Sequence, residues 1–407
     1  MYMTSSYPAP PREREGMTRS NNNLMLDEFV KRLCTEHLGY DLGRVEYKFV
    51  RSMLVGILRA RSVNLTNIAK DLDEHISLHA TQKRLSRNLD NPALSASLAD
   101  RLLKLGAETV RPDTQLIVHV YELNKKYARK VEYLSVPELE SGGGFKVCEI
   151  LASDPDSDTY TPLLTKVWSE KVPGYISDVE EIKKVIHRVL VATGNKGMLY
   201  FDDQSLSGDF LTPLMEEPSF NFISMMKDTE IDVLYRKEPC ALKTLVERAE
   251  TPYGRTVFKL VPEGMLDTSK TDLDLFMHVG AMAIKLSDCN RNLSLISLRS
   301  KSRLLGENVM PMITSKTNLR SRKALMGLVE SFLSVQDVLT SHQFLRDSFE
   351  PASFRVLTYS RLQLLMTLLQ AAIHYEVSML GNGAVDGHLF SVKPHDGDLH
   401  RTYHMPS

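Results

Sequence analysis

The residues best placed to act together are cationic. Over His79–Leu89 (HATQKRLSRNL), Lys83, Arg84 and Arg87 share one helical face, and Leu85 and Leu89 share another. Thr66 can cap a short helix running to Leu72, and a tight polar connection spans Asp73 to Leu78. A short helix, a turn, then a helix that is basic outside and apolar inside is the helix-turn-helix arrangement, which lays its second helix in the major groove of duplex DNA. Between Arg44 and Lys104, eleven Lys and Arg stand against six Asp and Glu, a local net of about +5. An ordinary helical bundle with a solvated basic face fits these residues equally well. A second basic run comprises Arg299, Lys301, Arg303, Lys316, Arg320, Arg322 and Lys323, with only Glu307 against it. Such cations either hold phosphates without reading bases or belong to solvated loops.

Other chemistry-bearing residues form weaker patterns. Cys34, Cys148, Cys240 and Cys289 show no CxxC pair or zinc spacing, which fits reduced buried thiols. His388, His395, His400 and His404 are irregularly spaced in a polar tail and do not make a dedicated metal site. The run Gly142–Gly144 lacks a phosphate-loop pattern and reads as a flexible hairpin connection. No Ser-His-Asp or Cys-His arrangement stands out by spacing. Asp202 closes the buried run GMLYF, where an Asp is also a common turn residue.

The elements that must position these residues are bounded by composition. A 407-residue chain with 43% hydrophobic residues can bury a large core in two or three domains. A net charge of −1 excludes a generally basic nucleic-acid coat, so DNA contact would have to be local. The polar, Pro-rich N-terminus has no apolar core and does not read as a signal peptide. Leu362–Leu380 carries Gln363, Thr367, Gln370 and His374 at helical spacing, the mark of an amphipathic core helix rather than a membrane span. The expectation is a cytoplasmic protein without membrane association.

Periodicity divides the chain into a disordered tail (1–24), a helical domain (25–108) that carries the basic face and is the candidate DNA-binding domain, a mixed α/β domain (109–375) and a polar C-terminal extension (376–407). In the α/β domain strands are expected at QLIVHV from Gln115, continuing through Tyr121–Tyr133 and Phe145–Leu151. A helix over Asp178–Ala192 and a buried strand over Gly197–Phe201 follow. Alternating β segments from about 220 to 312 read as a β-rich insertion, and Arg322–Tyr375 reads as helical.

Five stretches, Arg59–Leu89, Leu116–Leu134, Trp168–Ile182, Gly197–Lys227 and Val309–Tyr375 (with SFRVLTYSRLQ), carry a resemblance in matching order. Along them the chain resembles the Asp-Asp-Glu transposases of bacterial insertion sequences, in the insertion-sequence-four-like group. The resemblance implies an RNase H-like mixed sheet with an N-terminal helix-turn-helix-like domain and a β-rich insertion before the last catalytic helix. It also implies a magnesium pair held by carboxylates from two strands and one helix, a hard cation on oxygen ligands.

At the positions the resemblance assigns, the chain departs from that chemistry. The first carboxylate becomes His119, the second is kept as Asp202, and the third falls on Leu339. The Arg-Trp pair expected before the helix Glu is Val335 and Gln336, and Asp203 stands where an Arg is usual. Glu122 lies three residues from His119 and so points to the other face of a strand. Asp337 lies about 200° round the helix from Leu339. Each missing charge about 4 Å from a cation is worth roughly 4 kcal/mol at an effective dielectric of about 20. Asp202 alone would hold a metal weakly, and no cofactor is expected. The reading is a transposase-like pseudoenzyme that binds double-stranded DNA and self-associates, as a homodimer or with an active transposase. Two alternatives remain open: an active Mg²⁺-dependent transposase using Asp202 with Asp337 or Glu122, and a non-functional remnant of an insertion-sequence gene.

Overall fold

The structure, a computed structural model, describes residues 12–35, 42–126, 130–135, 142–154, 159–201, 208–226, 229, 231–260, 273–286, 291–302 and 306–379. Five helices open it: α1 (Arg12–Thr35), α2 (Arg44–Ala60), α3 (Leu65–Leu72), α4 (Leu78–Asn88) and α5 (Pro92–Ala107). Local chemistry sets their ends. Arg61 and Asp73 close α2 and α3 in the left-handed region, at φ 46° and 45°. Pro92 opens α5, where its fixed φ suits the first turn, and the Asn91 side chain accepts from the Leu94 amide. Two expectations change here. The start of α1 at Arg12 takes in residues that composition leaves as tail, because no proline interrupts the chain after Pro11. The cap of α3 is Asn64, whose side-chain oxygen accepts from the amide of Thr66 at 3.0 Å, and not Thr66 itself.

The mixed sheet begins with an antiparallel meander, β1 (Gln115–Lys126), β2 (Gly142–Ser153) and β3 (Tyr160–Trp168). After α6 (Asp178–Ala192), β4 (Met198–Phe201) returns parallel to β1. After α7 (Gly208–Glu216), β5 (Phe222–Met225) lies parallel to β4. The strand β3 is not legible in sequence, since Pro162 and an irregular burial pattern hide it. The run Gly142–Gly144 is not a hairpin connection but the start of β2, paired with Asn124–Lys126. A Cβ on Gly143 would sit 2.2 Å from the carbonyl oxygen of Ser135, so close backbone approach explains the glycine there.

The insertion supplies β6 (Asp232–Tyr235), β7 (Glu238–Ala241), α8 (Leu242–Arg248), β8 (Tyr253–Leu260), β9 (Leu273–Leu286), β10 (Asn292–Ser302) and β11 (Gly306–Thr314). It does not form a separate layer. Antiparallel pairing of β11 with β5 continues the first five strands into one eleven-stranded sheet, in the order β3-β2-β1-β4-β5-β11-β10-β9-β6-β7, with β8 also on β9. The β segments expected from about 220 begin with β5, which is bonded to β4 on one side and to β11 on the other.

Two helices complete the fold, α9 (Arg322–Asp347) and α10 (Tyr359–Met379), separated by a 3-10 turn at Pro351–Ser353. Alternation along β1 sorts the two faces of the sheet. Ile117 and Leu123 join the apolar cluster of α1–α5, α9 and α10, and Leu116 and Val118 join that of α6 and α7. Helix α10 packs on β3 and also on α2 and α5, so the helical N-terminal region and the sheet share one core. Arg61 pairs with Glu376 at 2.7 Å across this junction, which places Glu376 in α10 rather than in a C-terminal extension. The four tail histidines and Cys289 lie outside the described residues. Among the described residues no helix is long and apolar enough to cross a membrane.

Candidate functional site

Parallel pairing of Gln115–Val118 with Met198–Phe201 sets the end of β4 beside the first residues of β1, and α9 contacts β1. Tyr200 Oη and Ser331 Oγ are 2.7 Å apart. The Gln115 side-chain amide donates to the Ser331 carbonyl at 2.6 Å and to Ser334 Oγ at 3.1 Å. A group set contributed by two strands and one helix would converge here. Asp202, at the end of β4, lies outside the described residues together with Asp203.

His119 is half-buried and stacked on Tyr121, with ring centroids 5.5 Å apart. Leu339 is 7% exposed, in a stripe with Val335, Phe332 and Leu328 on the inner face of α9. Glu122 is exposed and accepts from the side-chain amide of Asn124 at 3.2 Å. As an even-numbered residue of β1 it belongs to the face away from His119. Asp337 is exposed on α9, away from the buried stripe. The two acids weighed as substitutes therefore do not converge on His119. Among the described residues no group of three or more His, Cys, Asp or Glu could hold a metal ion.

The sheet does carry a carboxylate beside His119, one the sequence reading passed over. Glu149 on β2 is the direct cross-strand partner of His119, so both face the same side. It is buried, and its Oε2 lies 2.8 Å from His342 Nε2 and 3.7 Å from Arg346 Nη1, both on the inner face of α9. Tyr121 Oη donates to Oε1 at 3.3 Å, and Thr165 Oγ1 donates to it at 3.4 Å. The Arg346 guanidinium also lies 3.8 Å from the centroid of the Tyr121 ring. Burial pushes the Glu149 carboxyl up, but His342, Arg346 and His119 together outweigh it and hold the group down at about 2. Glu149 is thus a fixed anion. Arg346 in turn is pushed up: burial opposes this, and the charge of Glu149 overcomes it. Glu149, His342 and Arg346 are all buried, so what these three can do is clamp α9 onto the sheet.

The helix pair α3–α4 presents a separate basic face. Leu85 and Leu89 are fully buried, while Lys83 and Arg87 stand exposed one turn apart. Arg84 departs from the sequence reading: it pairs with Glu74, and Glu74 also accepts from Thr81 Oγ1 at 3.0 Å. Its guanidinium braces the connection between the two helices and is not a free member of the outer face. His79 and Ala80 complete the exposed side near the start of α4.

The second basic run is dispersed. Arg299 donates to the carbonyls of Val246 and Glu247 at 3.1 and 2.7 Å, and Arg322 donates to the Gly254 carbonyl at 3.1 Å. Lys316, Arg320 and Lys323 are exposed around the entry to α9. Arg303 and the side chain of Lys301 lie outside the described residues. Two of the seven cations thus serve the packing of the insertion.

No protein-family model matches the chain, and no curated protein is significantly similar to it. The assignment of function therefore rests on residues and geometry. The signal that could have revealed Glu149 is its setting in FKVCEIL. There an acid shares the inward face of a strand with Val147 and Leu151 and so requires a buried cation. His342 and Arg346, four apart on the apolar side of α9, are the matching half.

Proposed function

We propose that this chain is a transposase-like protein with an RNase H-like scaffold, which binds duplex DNA through α4 and lacks metal-dependent strand cleavage. The observation that carries the reading is the pairing of a convergent two-strand, one-helix frame with residues unable to hold magnesium. His119 occupies β1, Leu339 is packed into the α9 stripe, and Glu149 is already neutralised by Arg346. Magnesium requires several hard oxygen ligands, and a buried hydrocarbon at one of three positions removes both a ligand and a negative charge. The β-rich segment between β5 and α9 fits the insertion that the resemblance implies.

The reading as an active transposase with displaced acids meets a geometric obstacle. Glu122 belongs to the other face of the sheet, and Asp337 is exposed. Against the remnant reading stands the state of the core. Arg101, Glu149, Glu181, Arg346 and Glu376 are buried, and each has a polar or charged partner. Unselected substitution would be expected to strand some of these charges.

DNA binding is tested by fluorescence anisotropy with duplexes tiling the sequence that flanks the gene, across a salt series. Lys83→Ala with Arg87→Ala should weaken binding and flatten the slope of log K against log salt by about one unit per lost phosphate contact. Arg84→Ala should act mainly through stability, because its guanidinium is engaged by Glu74. Unchanged affinity and slope in the Lys83/Arg87 variant would remove α4 as the DNA-contacting helix.

A further inference from the structure

A cavity of about 250 Å³ lies where α5, β3, α6 and α10 meet, away from both the β1–α9 region and the exposed face of α4. Three cations line it: Lys166 on β3, and Lys184 and Arg188 on α6. None of the lining residues is acidic. The balancing carboxylates are not among the lining residues. Lys166 and Lys184 share the nearly buried Glu181, and Arg188 pairs with Asp100. Three positive charges thus rest on two negative ones, leaving an excess of one beside a concave surface. An ammonium has three N–H donors and a guanidinium five, so these pairings do not exhaust their donor capacity. The Gln363 side chain adds a neutral amide, the Thr367 hydroxyl is already donated to the Gln363 carbonyl at 3.0 Å, and Met366 and Val185 give the remaining wall an apolar character.

We propose that this cavity is a binding site for a small organic phosphate, its anionic head held by Lys166, Lys184 and Arg188 and its body lying against the apolar wall. Each part follows from the lining. Convergent cations without a lining acid select an anion. A bidentate guanidinium beside two ammonium groups suits a phosphate's several oxygens. A site joining α5 of the helical region to β3, α6 and α10 would also tie the two regions more firmly when occupied.

Isothermal titration calorimetry of the full chain with phenyl phosphate, inorganic phosphate and phenol tests the proposal. Phenyl phosphate should bind saturably with one site per chain, inorganic phosphate more weakly, and phenol without detectable heat. Lys184→Ala and Arg188→Ala should each weaken phenyl phosphate by about tenfold, the loss of one charge-assisted hydrogen bond. Lys183→Ala, on the same helix but outside the cavity, should leave binding unchanged. Ala96→Phe keeps every charge and narrows the cavity from an exposed position on α5, so it should abolish binding while the circular dichroism spectrum stays that of the wild type. No saturable heat from the wild type, equal binding of phenol, or wild-type affinity in the three cavity variants would overturn the proposal. So would competition by duplex DNA together with loss of DNA affinity in Lys184→Ala and Arg188→Ala, since the cations would then be contacts to a nucleic-acid backbone.

Discussion

Glu149 shows how one buried charge organises its surroundings. Removing its charge while keeping its shape leaves Arg346 buried without its main counter-charge, which typically costs about 3–5 kcal/mol. Glu149→Gln should therefore lower the free energy of unfolding, measured in urea, by that order. Replacing both partners, as in Glu149→Leu with Arg346→Met, should recover much of the loss, because an apolar pair leaves no charge stranded. The effect has a pH signature. The folded-state pKa of about 2 lies below the ordinary 4.5, so the interaction contributes fully above about pH 4.5 and is lost as pH falls towards 2. The gap in stability between wild type and Glu149→Gln should close over that interval. A gap that stays constant down to pH 2 would mean that the carboxylate is not held by these cations. This cluster was legible only in part: His119 is readable as an odd residue on a strand, but its neighbour Glu149 is set by the β1–β2 register, which sequence does not give.

At the scale of elements, the α3–α4 pair was readable because its signals are local. Asp73 closes α3, Ser77 caps α4 through the Ala80 amide, and Leu85 and Leu89 mark the inner face. What holds the pair to the molecule was not readable. Gly56 on α2 lets Ile68 of α3 approach so closely that an added Cβ would lie 2.4 Å from Ile68 Cγ2. Gly56→Ala should destabilise the protein by about 1–3 kcal/mol, as overpacking does. Ile68→Ala should cost about 2–5 kcal/mol from the cavity it leaves. Because the two share one contact, the double variant should cost less than the sum of the singles, as read by thermal unfolding. Strict additivity would show that Gly56 is not what sets the α2–α3 distance. The strand β3 was missed for a related reason. Pro162 breaks its pattern, and the strand is stabilised by pairing with β2 rather than by its own composition.

Across the whole molecule, the sequence suggested separable parts, and the structure joins them. The insertion extends the sheet through β11, and α10 serves both the helical region and β3. Long-range pairing of this kind leaves no local trace in composition, whereas the helix at Asp178–Ala192 lies where its own pattern puts it. The central claim is that this frame is kept while the chemistry it would support is gone. The most direct measurement is an end-labelled cleavage and strand-transfer assay. The purified full chain is incubated, in Mg²⁺ and separately in Mn²⁺, with duplexes from the DNA flanking its gene, beside an Asp202→Ala variant. The account predicts bound but uncut DNA in both metals, with wild type and variant indistinguishable. Metal-dependent nicking or joined product from the wild type, abolished by Asp202→Ala, would contradict it.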